Sequence, residues 1–535
     1  MTFRYKLSLI IFGIVLGLLL LETAAQLIKG TPPPLDTDKT FATYTYVDIY
    51  KDFFKLDRSK GMYRNARWRS KPSEFPDFKR FNEKRVFIIG ESVAFYFQDQ
   101  FLLEKLKIIA PQYDWKVINC GMSSYDSYRI GIVFKEIVKY EPDLVIIMNG
   151  NNVGLVNPVK INHWIYKYRV LARFWVTRAV TNFLNPPVSL KKAELDELFR
   201  KNMSEIAAAA KKRGIPLALF TLPLNHHLPV EMTAYENHEF FSALWLIDKN
   251  PKKAIELFEK IRTPENRYCW FLARSYEKLG QPLKAEQYYR ENIDKLHYEV
   301  NEIIREIAEG DPSVLVVDYA KYVLEKTRDN PGFEVFFDEC HFWPILNYPV
   351  AEQIIECVYG HNLKFNTSIL FKPQEADFEK FKSTLTDWNG LLKDNMKLIE
   401  TQKEYCFYQF IHELTKPSWD RNVNSNQICG YYYKFIPNFF EDFINYAPKS
   451  LDNMDYALSR VGETLKEHNN YEKARFYFSK SIAQNPELAL TYMFRGLCYY
   501  DMGNKEIADM DFATLKMKDN RFEWLNSAYL DSLLK

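Results

Sequence analysis

Five short apolar runs that alternate with helical stretches constrain the fold of this chain more than any other feature. The runs are RVFIIG, KVINC, DLVIIMNG, LALFTL and SVLVVD, and they lie between Arg85 and Asp318. Helical patterns separate them, for example over residues 130–140 and 195–213. Strands that alternate with helices predict right-handed crossovers and a parallel sheet covered by helices on both faces. We therefore expect a three-layer α/β domain with a parallel sheet over residues 85–365.

A helical insert interrupts this alternation between the fourth and fifth strands, over about residues 238–296. The second half of the insert places small and aromatic residues where the tetratricopeptide repeat has them, so that two helices can pack closely. These residues are Ala273, Tyr276, Gly280, Ala285 and Tyr289. The α/β domain is therefore expected to carry a repeat-like helical insert.

The same pattern returns near the carboxyl end with a period of 34 residues. The matching pairs are Ala474 and Ala508, Phe478 and Phe512, Gly462 and Gly496, and Asn469 and Gly503. This periodicity predicts an all-α tetratricopeptide-type helical domain over residues 366–535, with the repeats clearest over 455–520. Protein docking and substrate presentation are both open as its role, and the identity of a protein partner is unknown.

The first 30 residues have the pattern of an export signal. Arg4 and Lys6 precede an apolar run from Leu7 to Leu21, and the apolar pattern continues to Ile28. A run of roughly 22 residues can span a bilayer with its positive end in the cytoplasm. We predict a signal anchor over residues 1–30, with a cleaved signal peptide and a buried helix as alternatives. An anchor makes the protein single-pass, with its bulk in the periplasm or at the cell surface.

Length, charge and cysteine spacing exclude several classes of protein. A chain of 535 residues predicts two or three domains, and residues 31–84 are interpreted as a linker and a lead-in segment packing on the α/β domain. The net charge of +2 gives no electrostatic argument for a nucleic-acid partner. None of the seven cysteines forms a CxxC pair, which argues against a zinc site or a thioredoxin-like site. No cofactor is predicted.

Polar residues and glycines follow the strands of the predicted sheet. Ser92 follows the first strand, Gly121 the second, and Asn152 lies in the block GNNVG after the third. Asp338 and His341 follow the last strand, in the segment FFDECHFW. The carboxyl ends of parallel strands meet at one edge of a sheet, where open α/β sheets place their chemistry. We therefore expect these five residues to form one site.

In order and placing, these blocks resemble those of the SGNH (GDSL-type) hydrolase superfamily. The segment Gly90-Glu91-Ser92 matches the nucleophile block, with Glu91 where the family usually has Asp. The Gly-x-Asn-Asp block is matched through Asn152, with Val153 in place of the final acid. The Asp-x-x-His block is matched intact. The resemblance covers roughly residues 85–359 apart from the insert, and it implies a flavodoxin-like three-layer fold.

The resemblance also implies a Ser-His-Asp mechanism that cleaves or transfers an ester-linked acyl group. Ser92 would be the nucleophile, His341 the general base, and Asp338 the residue that holds the tautomer of the His341 ring. The backbone N–H groups of Ser92 and Gly121 and the side-chain amide of Asn152 would form the oxyanion hole. The implied substrate is an acylated lipid or glycan, and ester hydrolysis and O-acyl transfer are both open.

Each of these residues also has a plain structural interpretation. Ser92 could cap a helix, and Gly121 and Asn152 could be turn residues. Asp338 could be a cap or the partner in a loop salt bridge, and His341 a partly buried loop histidine. A second hypothesis follows, in which the α/β domain is catalytically inactive and the protein is a scaffold whose repeats bind protein partners.

Two further histidines follow the fourth strand at the same rim of the predicted sheet. His226 and His227 lie in the segment TLPLNHHLP and could line a substrate cleft. A metal site would need additional carboxylate or histidine ligands, and the sequence offers none that we can identify. No metal is predicted.

Overall fold

The parallel sheet that the apolar runs predict is present in the computed structural model. The strands are β1 (Phe54–Asp57), β2 (Met62–Asn65), β3 (Glu74–Pro76), β4 (Glu83–Gly90), β5 (Asp114–Gly121), β6 (Leu144–Met148), β7 (Leu217–Phe220) and β8 (Val314–Val317). The structure describes residues 3–30, 52–66, 71–123, 125–153, 174–177, 191–228, 238–262, 268–292, 295–365, 367–371, 375–392, 394, 438–440, 442 and 454–535. Most of the predicted helical stretch between residues 366 and 450 lies outside these ranges.

Strands β4 to β8 form one sheet in the order β5-β4-β6-β7-β8, and every neighbouring pair is parallel. Counted from β4, this is the order 2-1-3-4-5 of flavodoxin-like doubly wound sheets. In such sheets the chain reverses its winding direction between the first and third strands, and ligands bind at the carboxyl ends of those strands. Here the corresponding strands are β4 and β6, so the predicted α/β class is confirmed and the place for chemistry is defined.

Helices cover the sheet and continue as a helical array. They are α1 (Phe3–Lys29), α2 (Ser92–Tyr96), α3 (Asp99–Ile109), α4 (Ser127–Ile137), α5 (Lys192–Lys212), α6 (His238–Leu246), α7 (Pro251–Ile261), α8 (Cys269–Lys278), α9 (Pro282–Glu291), α10 (Lys295–Gly310), α11 (Tyr319–Lys326), α12 (Asn347–Phe365), α13 (Glu375–Lys382), α14 (Met454–Glu467), α15 (Tyr471–Gln484), α16 (Ala489–Asp501), α17 (Lys505–Lys518) and α18 (Ser527–Leu534). Short 3₁₀ turns lie at Val138–Tyr140, Pro344–Leu346 and Asn520–Phe522.

The central strands form because their side chains are buried on both faces of the sheet. All five residues of β6 are buried, as are the last six of β4. Apolar and mostly β-branched runs of this length are typical of parallel strands covered by helices on both faces. The exception is Arg85 in β4, which is fully buried. Its guanidinium donates to Glu83, to the carbonyl of Tyr140 at 3.0 Å and to that of Pro76 at 2.9 Å.

A small antiparallel sheet precedes the main sheet, and the sequence pattern did not reveal it. Strands β1, β2 and β3 pair in chain order within the segment interpreted as a lead-in. Phe54 and Phe75 are buried in it, and both rings pack edge-on against Phe87 of β4. This segment therefore contacts β4 through regular strands of three or four residues, which are too short to show a clear alternation.

The chain divides into two compact units, each assembled from segments that are separate in the sequence. The first unit contains Met1–Leu222, Lys295–Lys321 and Asn347–Leu385, and the second contains Pro223–Asp294, Tyr322–Leu346 and Thr386–Lys535. All five strands of the main sheet belong to the first unit. Helices α6 to α9 of the insert and α14 to α18 near the carboxyl end belong to the second. The domain boundaries proposed from the sequence remain a prediction.

The helical repeats have the register that the 34-residue period predicts. Helices α14 and α15 form one hairpin and α16 and α17 the next, and α15 and α17 begin 34 residues apart, at Tyr471 and Lys505. In the first hairpin the ring of Phe478 lies on Gly462, where a Cβ atom would come within 2.6 Å of the ring. Phe512 and Gly496 repeat this contact in the second hairpin, at 2.7 Å. The period therefore reflects a packing unit in which a ring occupies the space that a glycine leaves.

The amino-terminal helix α1 is the one helix of the described chain that is long and apolar enough to cross a bilayer. Its segment Phe12–Lys29 has a mean hydropathy of 1.7, and only 6% of that segment is buried. Large apolar side chains on it, including Phe12 and Leu20, are exposed. A signal anchor and a signal peptide both fit this helix.

Candidate active site

Ser92 and Gly121 lie at adjacent strand ends on the carboxyl edge of the sheet. Gly90 ends β4, and it stands in register with Gly121 of β5 on one side and with Met148 of β6 on the other. Ser92 comes two residues after Gly90 and is the first residue of helix α2, with Glu91 as the N-cap residue. Its side chain is half-buried. Ser92 thus lies at the position where the flavodoxin-like sheet reverses its winding direction.

Gly121 is required because helix α2 packs directly on the end of β5, and Gly90 because the end of β6 and helix α2 both approach it closely. A Cβ atom on Gly121 would lie 2.2 Å from the backbone nitrogen of Phe95, and one on Gly90 would lie 2.2 Å from the carbonyl oxygen of Met148. Both distances are far below a normal contact, and in each case the obstacle is backbone. Only glycine permits this close approach, which fixes α2, and Ser92 with it, against β5 and β6.

Glu91 holds the loop that carries Asn152. The carboxylate is fully buried and accepts hydrogen bonds from the backbone N–H of Asn151 at 2.8 Å and from that of Asn152 at 3.0 Å. The side-chain amide of Asn149 donates to the same carboxylate at 3.2 Å. Glu91 therefore joins the turn that carries Ser92 to the loop that carries Asn152. Its position directly before Ser92 was the sequence signal for this role.

Of the groups expected to form the oxyanion hole, the N–H of Gly121 and the side-chain amide of Asn152 both donate hydrogen bonds within the protein. The N–H of Gly121 donates to the side-chain oxygen of Asn119 at 2.8 Å. The side-chain amide of Asn152 donates to the carbonyl of Tyr125 at 3.2 Å, and Asn152 is buried. An amide NH₂ group has a second proton to offer, whereas the N–H of Gly121 has only one. Asn119, a buried polar residue in a strand, is a site component that sequence reasoning missed.

Asp338 and His341 form a hydrogen-bonded pair at the tip of a short hairpin. Phe336 and Phe342 pair across the hairpin as an antiparallel bridge. One carboxylate oxygen of Asp338 lies 2.6 Å from Nδ1 of His341. The other accepts from the backbone N–H groups of Cys340 at 3.0 Å and His341 at 2.8 Å. A carboxylate bound at both oxygens holds the imidazole in one orientation, with Nε2 as the nitrogen that would act as a base.

The electrostatics of this pair favour an ionised carboxylate. Burial alone would raise the pKa of Asp338, but three influences outweigh burial and lower it. They are the attraction to the His341 ring, the hydrogen bond to that ring, and the bonds from the backbone N–H groups of Cys340 and His341. The imidazole is also stacked on the ring of Phe337, with the centroids 5.5 Å apart. Asp338 is thus suited to stabilise an imidazolium.

His226 and His227 belong to a loop that contacts the Asp338–His341 hairpin. Burial lowers the pKa of His226 to about 3, with smaller contributions from His227 and Arg290. The ring of His227 stacks on Tyr289 with the centroids 4.4 Å apart and lies 3.2 Å from the side-chain oxygen of Asn330. The backbone N–H of His226 also donates to the carbonyl of Pro331, and that of His227 to the side-chain oxygen of Asn225, both within the second unit.

The residues expected to form one site occur in both units. Ser92, Gly121 and Asn152 lie in the first unit, and Asp338 and His341 lie in the second. Within the first unit Ser92 begins helix α2 after β4, Gly121 ends β5, and Asn152 lies in the turn that follows β6. Within the second it joins the histidine to the aspartate.

Among the residues that the structure describes, one group of possible metal ligands coincides with the Asp338–His341 pair. A carboxylate oxygen of Asp338, the sulfur of Cys340 and a ring nitrogen of His341 lie within 4.8 Å of one another. A metal ion there would have to replace the 2.6 Å hydrogen bond between Asp338 and His341. The observed geometry is that of a carboxylate hydrogen-bonded to an imidazole.

Comparison with known proteins identifies the repeat and gives relatives in fold. Residues 267–293, which span α8 and α9, match the tetratricopeptide repeat family. No curated protein sequence matches the chain. The fold is similar to those of the acetyl xylan esterase AlAXEase, an acetylxylan esterase from Geobacillus stearothermophilus and a GDSL-like lipase from Bacteroides thetaiotaomicron.

These similarities are low in sequence and cover about half of the chain. AlAXEase is 14% identical over 51% of this chain and 99% of its own, with a TM-score of 0.28. The Geobacillus enzyme is 13% identical over 52% and 95%, with a TM-score of 0.28, and the Bacteroides lipase is 13% identical over 52% and 88%, with a TM-score of 0.25. The fold class rests on the strand order and register described above. The chain combines a flavodoxin-like parallel α/β sheet with a segment that matches the tetratricopeptide repeat family.

Proposed function

We propose that this protein is a serine-dependent ester hydrolase or O-acyl transferase of the SGNH type. The observation that carries the proposal is the 2.6 Å hydrogen bond between Asp338 and Nδ1 of His341, because it prepares a histidine to act as a base. The partly exposed Ser92 at the switch point of the sheet supports it. Ser92 is the nucleophile, His341 the general base and Asp338 the residue that orients the His341 ring.

The proposed reaction proceeds through an acyl-enzyme. The Ser92 hydroxyl attacks the carbonyl carbon of the ester while Nε2 of His341 takes the hydroxyl proton. The tetrahedral intermediate then collapses, and the same proton passes to the departing alkoxide. Water, or the hydroxyl of an acceptor in the case of transfer, then attacks the acyl carbon and gives its proton to His341. The bond to Oγ of Ser92 breaks, the proton passes from His341 to Ser92, and the carboxylic acid or the new ester leaves.

The negative oxygen of the intermediate is bound by the N–H groups of Ser92 and Gly121 and the amide of Asn152. Each such donor lowers the barrier by about 3 kcal/mol. For Gly121 the oxyanion replaces the oxygen of Asn119 as the acceptor of the hydrogen bond. This exchange between two acceptors is a specific requirement of the proposal.

The proposed substrate is an acylated lipid or glycan at the outer side of a membrane. Helix α1 supports this setting, since its apolar side chains are exposed and Arg4 and Lys6 precede the apolar run.

We propose that α1 is an uncleaved anchor. Deletion of residues 2–29 should then move the protein from the membrane fraction to the soluble fraction, and a mature chain that begins after residue 22 would instead show a cleaved signal.

One observation favours a second candidate function. The 2.8 Å bond between the Gly121 N–H and Asn119 occupies a donor that catalysis would need. A catalytically inactive α/β domain in a scaffold that binds proteins through its repeats fits this bond without any exchange. The two candidates differ in whether the purified protein turns over an ester.

The test is hydrolysis of p-nitrophenyl acetate by the full-length protein in detergent. We expect Ser92→Ala and His341→Ala each to lower kcat/KM by at least about 10³-fold. Ser127→Ala and His361→Ala are the matched controls, since Ser127 also begins a helix and His361 is also partly exposed. Equal turnover by the wild type and both site variants would reject the proposal. No turnover by the wild type would favour the scaffold.

A further inference from the structure

The hairpin that carries Asp338 and His341 is held by the loop that follows β7. The side-chain amide of Asn225 donates to the carbonyl of Asp338 at 3.0 Å, and the backbone N–H of Asn225 donates to the carbonyl of Glu339 at 2.9 Å. Asn225 is buried, and its own side-chain oxygen accepts from the N–H of His227 at 2.9 Å. The backbone of the proposed orienting residue is therefore fixed from outside its own hairpin.

A second pair of contacts joins the same loop to the base of the hairpin segment. The backbone N–H of His226 donates to the carbonyl of Pro331 at 2.9 Å. The ring of His227 lies 3.2 Å from the side-chain oxygen of Asn330. The loop over residues 223–228 thus contacts the hairpin segment at its beginning and at its tip.

The inserted helices hold this loop in turn. The indole N–H of Trp270 in α8 donates to the carbonyl of His227 at 2.9 Å. The side-chain amide of Asn292, which directly follows α9, donates to the carbonyl of Leu228 at 2.6 Å. Trp270 is 4% exposed and Asn292 is 3% exposed, so water does not compete for these bonds. Two buried donors therefore connect the repeat-like hairpin α8–α9 to the loop.

The insert is itself anchored on the helices near the carboxyl end. Lys249, which follows α6, forms an ion pair with Asp501 at 2.7 Å, and Asp501 is almost fully buried at its side chain. Lys253 in α7 donates to the carbonyl of Leu533 at 3.0 Å. The hydroxyl groups of Ser242 and Tyr529 are also hydrogen-bonded to each other. The insert and the terminal repeats therefore form one continuous support within the second unit.

We propose that the helical insert is a positioning scaffold for the acid–base pair, and that Trp270, Asn292 and Asn225 are its positioning residues. Hydrogen bonds connect α8 and α9 to the loop over residues 223–228, and further hydrogen bonds connect this loop to the backbone of Asp338. The proposal deepens the proposed function and rests on it for any effect on turnover. It assigns the repeats a role inside the chain, in the geometry of catalysis, rather than in the capture of a partner.

The test uses the full-length protein and the variants Trp270→Phe and Asn292→Leu. Trp270→Phe removes one N–H donor and keeps an aromatic ring, and Asn292→Leu replaces an amide by an apolar group of similar size. Trp115→Phe is the matched control, because the indole of Trp115 is equally buried and donates to the carbonyl of Ala110 at 2.8 Å, in the first unit. The first readout is amide hydrogen exchange over residues 333–343, which needs no substrate.

We expect both variants to raise the exchange rate of this segment at least about tenfold, with Trp115→Phe at the wild-type rate. On p-nitrophenyl acetate the same variants should lower kcat about tenfold and leave KM within twofold, because the pair is misplaced while substrate binding is intact. Wild-type exchange over residues 333–343 in a folded Trp270→Phe protein would overturn the proposal. If the variants exchange faster but the wild type shows no turnover, the helical insert does position the Asp338–His341 hairpin, and the proposed hydrolase activity is rejected.

Discussion

Among single residues, Glu91 determines how the nucleophile turn and the asparagine loop are joined. Its carboxylate accepts three N–H donors from the loop that carries Asn152 while it directly precedes Ser92. Hydrogen bonds to a buried carboxylate are stronger than neutral ones, and the loss of such an acceptor leaves several buried donors unsatisfied. Glutamate at this position is therefore compatible with an ordered site.

The variant Glu91→Gln tests this role. It replaces one acceptor oxygen by an NH₂ group that faces N–H donors, and we expect a loss of about 2–4 kcal/mol in the free energy of unfolding. It should also lower kcat for p-nitrophenyl acetate, because the Asn152 amide is displaced. Urea unfolding and steady-state kinetics measure the two effects.

Glu136→Gln is the matched control for Glu91→Gln. The Glu136 carboxylate also accepts backbone N–H bonds, from Phe53 at 2.7 Å and from Phe54 at 3.2 Å, but it anchors the small antiparallel sheet. We expect it to lose stability without a change in kcat. If both variants left kcat unchanged, Glu91 would be a structural residue only.

At the scale of elements, the loop after β7 contains a histidine, His226, that is buried in its neutral form and whose protonation would lower the stability of the protein. The pKa of His226 is lowered to about 3, whereas an unfolded histidine titrates near 6.5. Between these values the unfolded chain binds more protons than the folded one at this position. The contribution of His226 to the free energy of unfolding is therefore fully present above about pH 6.5 and is lost as the pH falls toward 3.

This difference predicts a measurable pH dependence. From pH 7 to pH 5 the contribution of His226 to the free energy of unfolding should fall by roughly 2 kcal/mol. The variant His226→Gln lacks the titrating group, so its stability should fall by that much less over the same interval. Urea unfolding of both proteins at the two pH values gives the comparison, and identical slopes would show that His226 is not buried as a neutral group.

The helical repeats offer a second prediction about elements. A Cβ atom on Gly496 would lie 2.7 Å from the ring of Phe512, so Gly496→Ala should destabilise the protein by about 1–3 kcal/mol through overpacking. Gly360 is also inside a helix, but a Cβ atom there meets nothing within 4 Å. Gly360→Ala should therefore be neutral or stabilise by up to about 1 kcal/mol. Thermal unfolding that ranked the two variants the other way would contradict the repeat packing.

For the molecule as a whole, the sequence predicted the structural features that long apolar runs or repeated residues encode. Five buried strands and the 34-residue register were predicted because apolar runs and recurring glycine–ring pairs are visible along the chain. The antiparallel sheet β1–β3 was missed because its strands are too short for an alternation to show. The contacts of Asn225 and Asn292 were missed because a single buried amide leaves no periodic signal and its partner lies far away in the sequence. The contact of Asn119 with the N–H of Gly121 is local, but a single buried amide in a strand leaves no periodic signal either.

If His341 activates Ser92 as a nucleophile, Ser92 should react with a biotinylated fluorophosphonate, which phosphonylates activated serines. The full-length protein is labelled, and mass spectrometry identifies the labelled peptide. We predict a label on Ser92 that is lost in His341→Ala and retained in Ser127→Ala. Absence of label on Ser92, or equal labelling of Ser92 in His341→Ala, would contradict it.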